Sequence, residues 1–225
     1  IYLYNNYIYK LSKYFDKQTY IHIIRYLYNN EVPNIILANE IYEEIIDSSI
    51  LNNKSILQKY EYKKYGDLFN YIENNLLNYN IIYFIYYKLV KIIKNLHMLN
   101  ISHRDIKLEN ILVDYNPNLD LYLIDFEYTD YSYSYKKFNG GTFNYAAPEL
   151  FNLDCKIDNY NCLDIWALGI ILYTLLFRSL PWNVANINEC YHYENYIFDS
   201  SIIYKKVFEL DIPIYHKIIY NKIFK

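Results

Sequence analysis

Residues 103 to 110 read HRDIKLEN, and fifteen positions after Asn110 comes Asp125, in the string LIDFEYT. These side chains suit phosphoryl transfer. Asp105 can accept the proton of a hydroxyl. Lys107 can neutralise a phosphoryl group in flight. Asn110 and Asp125 are hard oxygen ligands of the kind Mg2+ prefers. A carboxylate base, a cation and two oxygen ligands are what the reaction needs, because it depends mainly on positioning and charge neutralisation.

Such a set has to be held by rigid elements on either side. Residues 1 to about 60 read as short strands and one helix. NYIYKL alternates as a strand, QTYIHIIRYLYNN has helical spacing, and NIILANEIYEE and SILQKYEY read as two more strands. Asp67 is a good N-cap for LFNYIENN. Ile82, Ile85, Leu89, Ile92, Ile93, Leu96 and Leu99 then fall on one helical face. ILVDYN and LYLIDF are strands joined by the turn NPNLD, so they bracket the approach to Asp125. Residues 128–148 have no period and read as a long loop, LDIWALGIILYTLLF reads as a buried helix, and the tail from 183 is helical in part. The order is a small β-rich part followed by a mostly helical one, an α+β arrangement with its boundary near residues 61–66.

The 225 residues allow one domain of two lobes or two small domains. With 32 Tyr, 35 Ile and 28 Asn, three residue types fill about two fifths of the chain. That bias matches codon usage in an AT-rich genome, so tyrosine clusters are not read as binding surfaces. The net charge is −3 with no block of like charge, which argues against nucleic acid or an anionic membrane as partner. The longest apolar run, Ile165 to Phe177, is too short for a membrane span. Cys155, Cys162 and Cys190 have neither metal-ligand nor disulfide spacing, which fits a reducing, cytoplasmic compartment. His22, His97, His192 and His216 show no ligand spacing and read as core or surface residues. The chain does not begin with Met and has no signal-peptide pattern, as expected of a fragment.

Over nearly its whole length the chain resembles the catalytic domain of eukaryotic protein kinases. HRDIKLEN is similar to the catalytic loop, DFE stands where that family has the metal-binding DFG, and GTFNYAAPE resembles the end of the activation segment. LDIWALGIILYTLL resembles the central helix of the larger lobe, VPNII the turn after the regulatory helix, and YEYKKYGDLFNYI the hinge. The resemblance implies a two-lobed fold: an incomplete N-lobe over residues 1–60, a hinge at 61–66 and a C-lobe over 67–225 whose last helices are either missing or degenerate. It implies ATP and Mg2+ as cofactors and a protein as substrate. Asp105 would orient the substrate hydroxyl, Lys107 would contact the transferred phosphate, and Thr142 would bridge toward both. Asn110 and Asp125 would hold Mg2+. Lys10 would pair with the ATP phosphates, the backbone of Glu61 and Tyr62 would face the adenine, Leu112 would floor its pocket, and Tyr60 would stand at its back. Arg104 would receive a phosphate from Thr129, Ser132 or Ser134. Glu109 would face a substrate arginine. His103, Phe126, Asp164 and Trp166 would be scaffold. Lys107 with Thr142 matches the serine/threonine branch.

The departures lie mostly in the nucleotide half. No glycine precedes Gly66, so the glycine-rich phosphate loop either lies upstream of Ile1 or never existed. Ile8 shares a face with Lys10 where the family prefers alanine, and Lys13 is the alternative lysine. Positions 20–26 contain no acid to pair with that lysine, and Glu127 replaces a glycine. Glu149 has only Arg178 as a later arginine. Two functions follow from the resemblance: an active serine/threonine kinase, or a pseudokinase that serves as a binding or scaffold module.

Overall fold

The computed structural model describes residues 2–5, 7–13, 17–38, 40–42, 55–61, 66–133, 140–152 and 156–199. The first half builds one antiparallel sheet from β1 (Tyr2–Tyr4), β2 (Tyr7–Lys13), β3 (Glu40–Tyr42) and β4 (Ser55–Glu61), in the order β1-β2-β4-β3. Tyrosine and isoleucine suit a pleated, half-buried surface. The β2–β4 register sets Lys10 opposite Gln58 and Ile8 opposite Tyr60.

Helix α1 (Lys17–Asn29) follows β2. Its Tyr20, Ile23, Ile24 and Leu27 recur at steps of three, one and three and are buried in the main core. The chain then turns at Asn34, which is left-handed (φ 63°). The sequence predicts a strand across NIILANEIYEE, but among its described residues only Glu40–Tyr42 is one. Ile35 instead makes a single parallel bridge to Leu123, with Ile36 N donating to Leu123 O and Leu123 N to Asn34 O, both at 2.9 Å. Those backbone groups were claimed by a strand distant in sequence, which local pattern does not reveal.

The second half begins with β5 (Gly66–Asp67), α2 (Leu68–Asn74) and α3 (Tyr79–Met98). Asp67 caps α2 as expected, accepting from Asn70 N at 2.7 Å. Asn78 caps α3 in the same way at 3.0 Å. The expected apolar face of α3 is buried from Ile82 to Leu96, while Leu99 lies one residue past the helix and packs half-buried on the core. After β6 (Ile101–Ser102) come the hairpin strands β7 (Ile111–Asp114) and β8 (Asp120–Leu123), then β9 (Asp130–Tyr131). β5, β7 and β8 form one small sheet, and β6 and β9 form another.

Helix α4 (Asn161–Phe177) is buried almost all round, from Leu163 to Leu175, with Ile165 exposed. Full burial of each such aliphatic side chain contributes about 1.5–3 kcal/mol. Helix α5 (Tyr191–Phe198) packs through Tyr193 and Tyr196 on Trp182, which itself lies 5.7 Å from the Trp166 ring. Among the described residues no helix is long and apolar enough to cross a membrane. The architecture is α+β, a sheet-rich part followed by a helical one.

Candidate active site

The loop after β6 is held from beneath by Asp164 of α4. This fully buried carboxylate accepts from His103 N at 2.9 Å and Arg104 N at 2.8 Å. Arg104 needs such support, because its backbone is left-handed (φ 66°), a conformation that disfavours a residue with a Cβ. His97 Nε2 also lies 2.8 Å from Asp164. The sequence assigned His97 no partner, and only the packing of α3 on α4 supplies one. His103 reaches the other way. Its Nε2 is 3.0 Å from Ile124 O, and its ring meets Phe126 edge-on at 4.9 Å. Loop and DFE string are thereby locked together.

On this platform the side chains predicted for chemistry converge. Asp105 is 6% exposed. Its Oδ1 accepts from Thr142 Oγ1 at 2.8 Å, and its Oδ2 accepts from Lys107 Nζ at 3.0 Å and Asn110 Nδ2 at 3.1 Å. Lys107 also donates to Thr142 Oγ1 at 2.8 Å, closing a three-residue ring. Asn110 Nδ2 donates to Asp105 O as well. The main chain of Asn110 accepts from Ile124 N at 3.0 Å, which brings Asp125 up beside the loop. Asp125 is itself left-handed (φ 67°).

Lys10 crosses from β2 to the same place. Its Nζ lies 2.8 Å from Asp125 Oδ1 and 2.6 Å from Glu127 Oε1. Burial opposes its charge, but Asp125 and Glu127 outweigh that and hold the ammonium's pKa above the ordinary lysine value. Beside it, Gln58 Oε1 accepts from Tyr20 at 2.7 Å and from Tyr60. Burial raises the Tyr60 phenol's pKa, and Tyr20 and Asp125 add to the effect. Leu112 is half-buried on the face of β7 opposite the buried Ile111 and Val113. Glu61 ends β4, with its backbone paired to Tyr7. Tyr62 and Ser134 lie outside the described residues, as does the side chain of Lys13.

Two expected modification sites are corrected. Thr129 is 5% exposed, and Ser132 is fully buried and donates to Asn161 Oδ1 at 2.6 Å, so neither presents its hydroxyl to an enzyme. Arg104, expected to await a phosphate, donates to Tyr128 O, pairs with Asp130 at 3.5 Å and lies over the Tyr160 ring. Arg178 does not reach Glu149. It donates to Asn75 O at 3.0 Å and Glu73 O at 3.2 Å, while Glu149 Oε2 is buried without a hydrogen-bond partner among the described residues.

Comparison with known proteins agrees with this geometry. The family model described as protein kinase domain matches residues 7–218. Serine/threonine-protein kinase SIK1 of Rattus norvegicus is 31% identical over 164 residues, covering 66% of this chain and 21% of the relative. Serine/threonine-protein kinase chk1 of Schizosaccharomyces pombe is 34% identical over 162 residues, covering 69% and 29%. CBL-interacting serine/threonine-protein kinase 2 of Arabidopsis thaliana is 29% identical over 191 residues, covering 75% and 40%. The matched segments thus span between about a fifth and two fifths of these relatives' lengths. The chain belongs to the eukaryotic protein kinase domain family, on its serine/threonine branch.

Proposed function

We propose that this domain transfers the γ-phosphate of ATP to a serine or threonine hydroxyl of a protein substrate. The observation that carries the reading is the ring joining Asp105, Lys107 and Thr142. A carboxylate oxygen has two acceptor sites. Among the described residues Oδ2 of Asp105 has two donors and Oδ1 has one, so Oδ1 is where a substrate hydroxyl would be oriented and deprotonated. Lys107 sits beside it to neutralise the passing phosphoryl group. Lys10 is assigned to the ATP phosphates, the backbone of Glu61 and Tyr62 to the adenine edge, and Leu112 to the pocket floor. Asn110 spends its amide nitrogen on Asp105, which turns its amide oxygen the other way. That oxygen and the Asp125 carboxylate are hard donors that fit Mg2+. When bound, the ion supplies charge neutralisation at the phosphate oxygens. In this reading residues 1–60 are the smaller lobe, 61–66 the hinge and 67–225 the larger lobe, and the protein works in the cytoplasm.

The test is phosphorylation of a generic protein substrate with Mg2+ and ATP. Asp105→Asn should lower the rate by about 10²–10⁴-fold, and equal signal from both proteins removes the enzyme reading. A second reading, a pseudokinase, is favoured by Lys10, which places its own cation on Asp125. Under that reading ATP raises the melting temperature but no turnover occurs.

A further inference from the structure

Among the described residues Lys10 meets two carboxylates, and the proposed chemistry makes competing demands on one of them. Asp125 is asked to ligate a divalent cation that repels the ammonium it already holds. Glu127 has no such second assignment and makes the shorter contact, 2.6 Å against 2.8 Å. All three side chains are between a fifth and a quarter exposed, screened enough from water for the pairing to matter. Helix α1 offers no alternative. Its sequence KQTYIHIIRYLYN contains no acid, and its reach toward this part of the sheet is the Tyr20 hydroxyl on Gln58, the residue opposite Lys10.

Resting on the kinase reading, we propose that Glu127 is a positioning residue: it holds Lys10 toward the nucleotide phosphates while Asp125 is engaged by the metal. The carboxylate partner of the lysine therefore comes from the segment that carries the metal ligand, two residues away, and not from a helix. Lysine, metal ligand and the start of the loop then move as one unit. A shift of α1 alone leaves the Lys10 ion pair intact. The sequence carried both halves of this arrangement, an acid where a glycine was expected and no acid where one was expected. Only the fold brings the two departures to the same ammonium.

The test begins on nucleotide-free protein, by the rate at which an amine-reactive ester acylates Lys10, read by mass spectrometry of its peptide. In an Asp125→Asn background, where the second carboxylate no longer holds the amine, Glu127→Gln should raise that rate about tenfold, and Glu127→Asp should raise it much less, because the remaining ion pair keeps the amine protonated. The melting temperature, recorded for each variant, separates loss of the pair from loss of the fold. An unchanged rate when Glu127→Gln is added to that background overturns the proposal and gives the lysine to Asp125. With ATP and Mg2+, Glu127→Gln should lower kcat/KM for ATP about tenfold, with partial rescue by aspartate. Rescue by Glu127→Gly as full as by Asp also overturns it. If the Asp105→Asn comparison removes catalysis as the function, the acylation rates still decide the Lys10–Glu127 pairing on their own.

Discussion

Asp164 has no exposed surface and touches no expected substrate position, yet the catalytic loop depends on it. Its two oxygens satisfy the amides of His103 and Arg104, and a buried amide left without an acceptor costs about 1–3 kcal/mol. Asp164→Ala removes both acceptors and the support for the left-handed Arg104. We expect a loss of about 2–6 kcal/mol, a fall of roughly 5–20 °C in melting temperature by calorimetry, together with loss of phosphotransfer. Asp164→Asn keeps one acceptor oxygen and should lose less. At this scale Asp105, Lys107, Asn110 and Thr142 were legible because they are near in sequence or sit in a fixed motif. The partners of His97 and Lys10 were not, since each lies across the fold.

The elements whose signals are local came out close to the sequence reading. Asp67 before LFNYIEN is one: a side-chain acceptor for an amide that has no partner inside the helix. Asp67→Ala should therefore cost about 1 kcal/mol, measurable as a shift in urea midpoint with an unchanged slope. The buried face of α3 and the β7–β8 hairpin follow from periods of 3.6 and 2 in the same way. Strand β3 shows where such reading ends. Ile35 and Ile36 look like strand residues, but their backbone belongs to β8, some ninety positions away. The long α4 illustrates the converse, a helix whose nearly continuous apolar sequence identified it as buried without saying against what. Ile171→Ala at its fully buried centre should cost about 2–5 kcal/mol, a large part of a domain's stability, and can be followed by chemical unfolding.

Across the whole molecule the tyrosine bias has one physical consequence. Burial raises the pKa of Tyr86 and Tyr145 above the ordinary phenol value, and pushes Tyr193 up to about 12. A raised folded pKa contributes stability that is whole below the unfolded pKa of about 10. It is lost as pH rises toward the folded value, because the unfolded chain then binds fewer protons. Tyr86 and Tyr145, both under a tenth exposed, should each remove about 1.4 kcal/mol per pH unit above about pH 10. Tyrosinate absorbance at those positions should therefore rise in one step with the loss of circular dichroism, and not ahead of it. Tyr86→Phe should move that step to higher pH.

The sequence by itself determined the family, the order of elements and the side chains that converge on the loop after β6. Those rest on short spacings and on periodicities that any fold of this chain must satisfy. Tertiary structure alone decided which cation meets which carboxylate. Glu127 read as a damaged glycine and Lys10 as a lysine without its acid until β2 and the DFE string came within 3 Å of each other. Electrostatic partnership depends on distance through space, and a sequence records only distance along the chain.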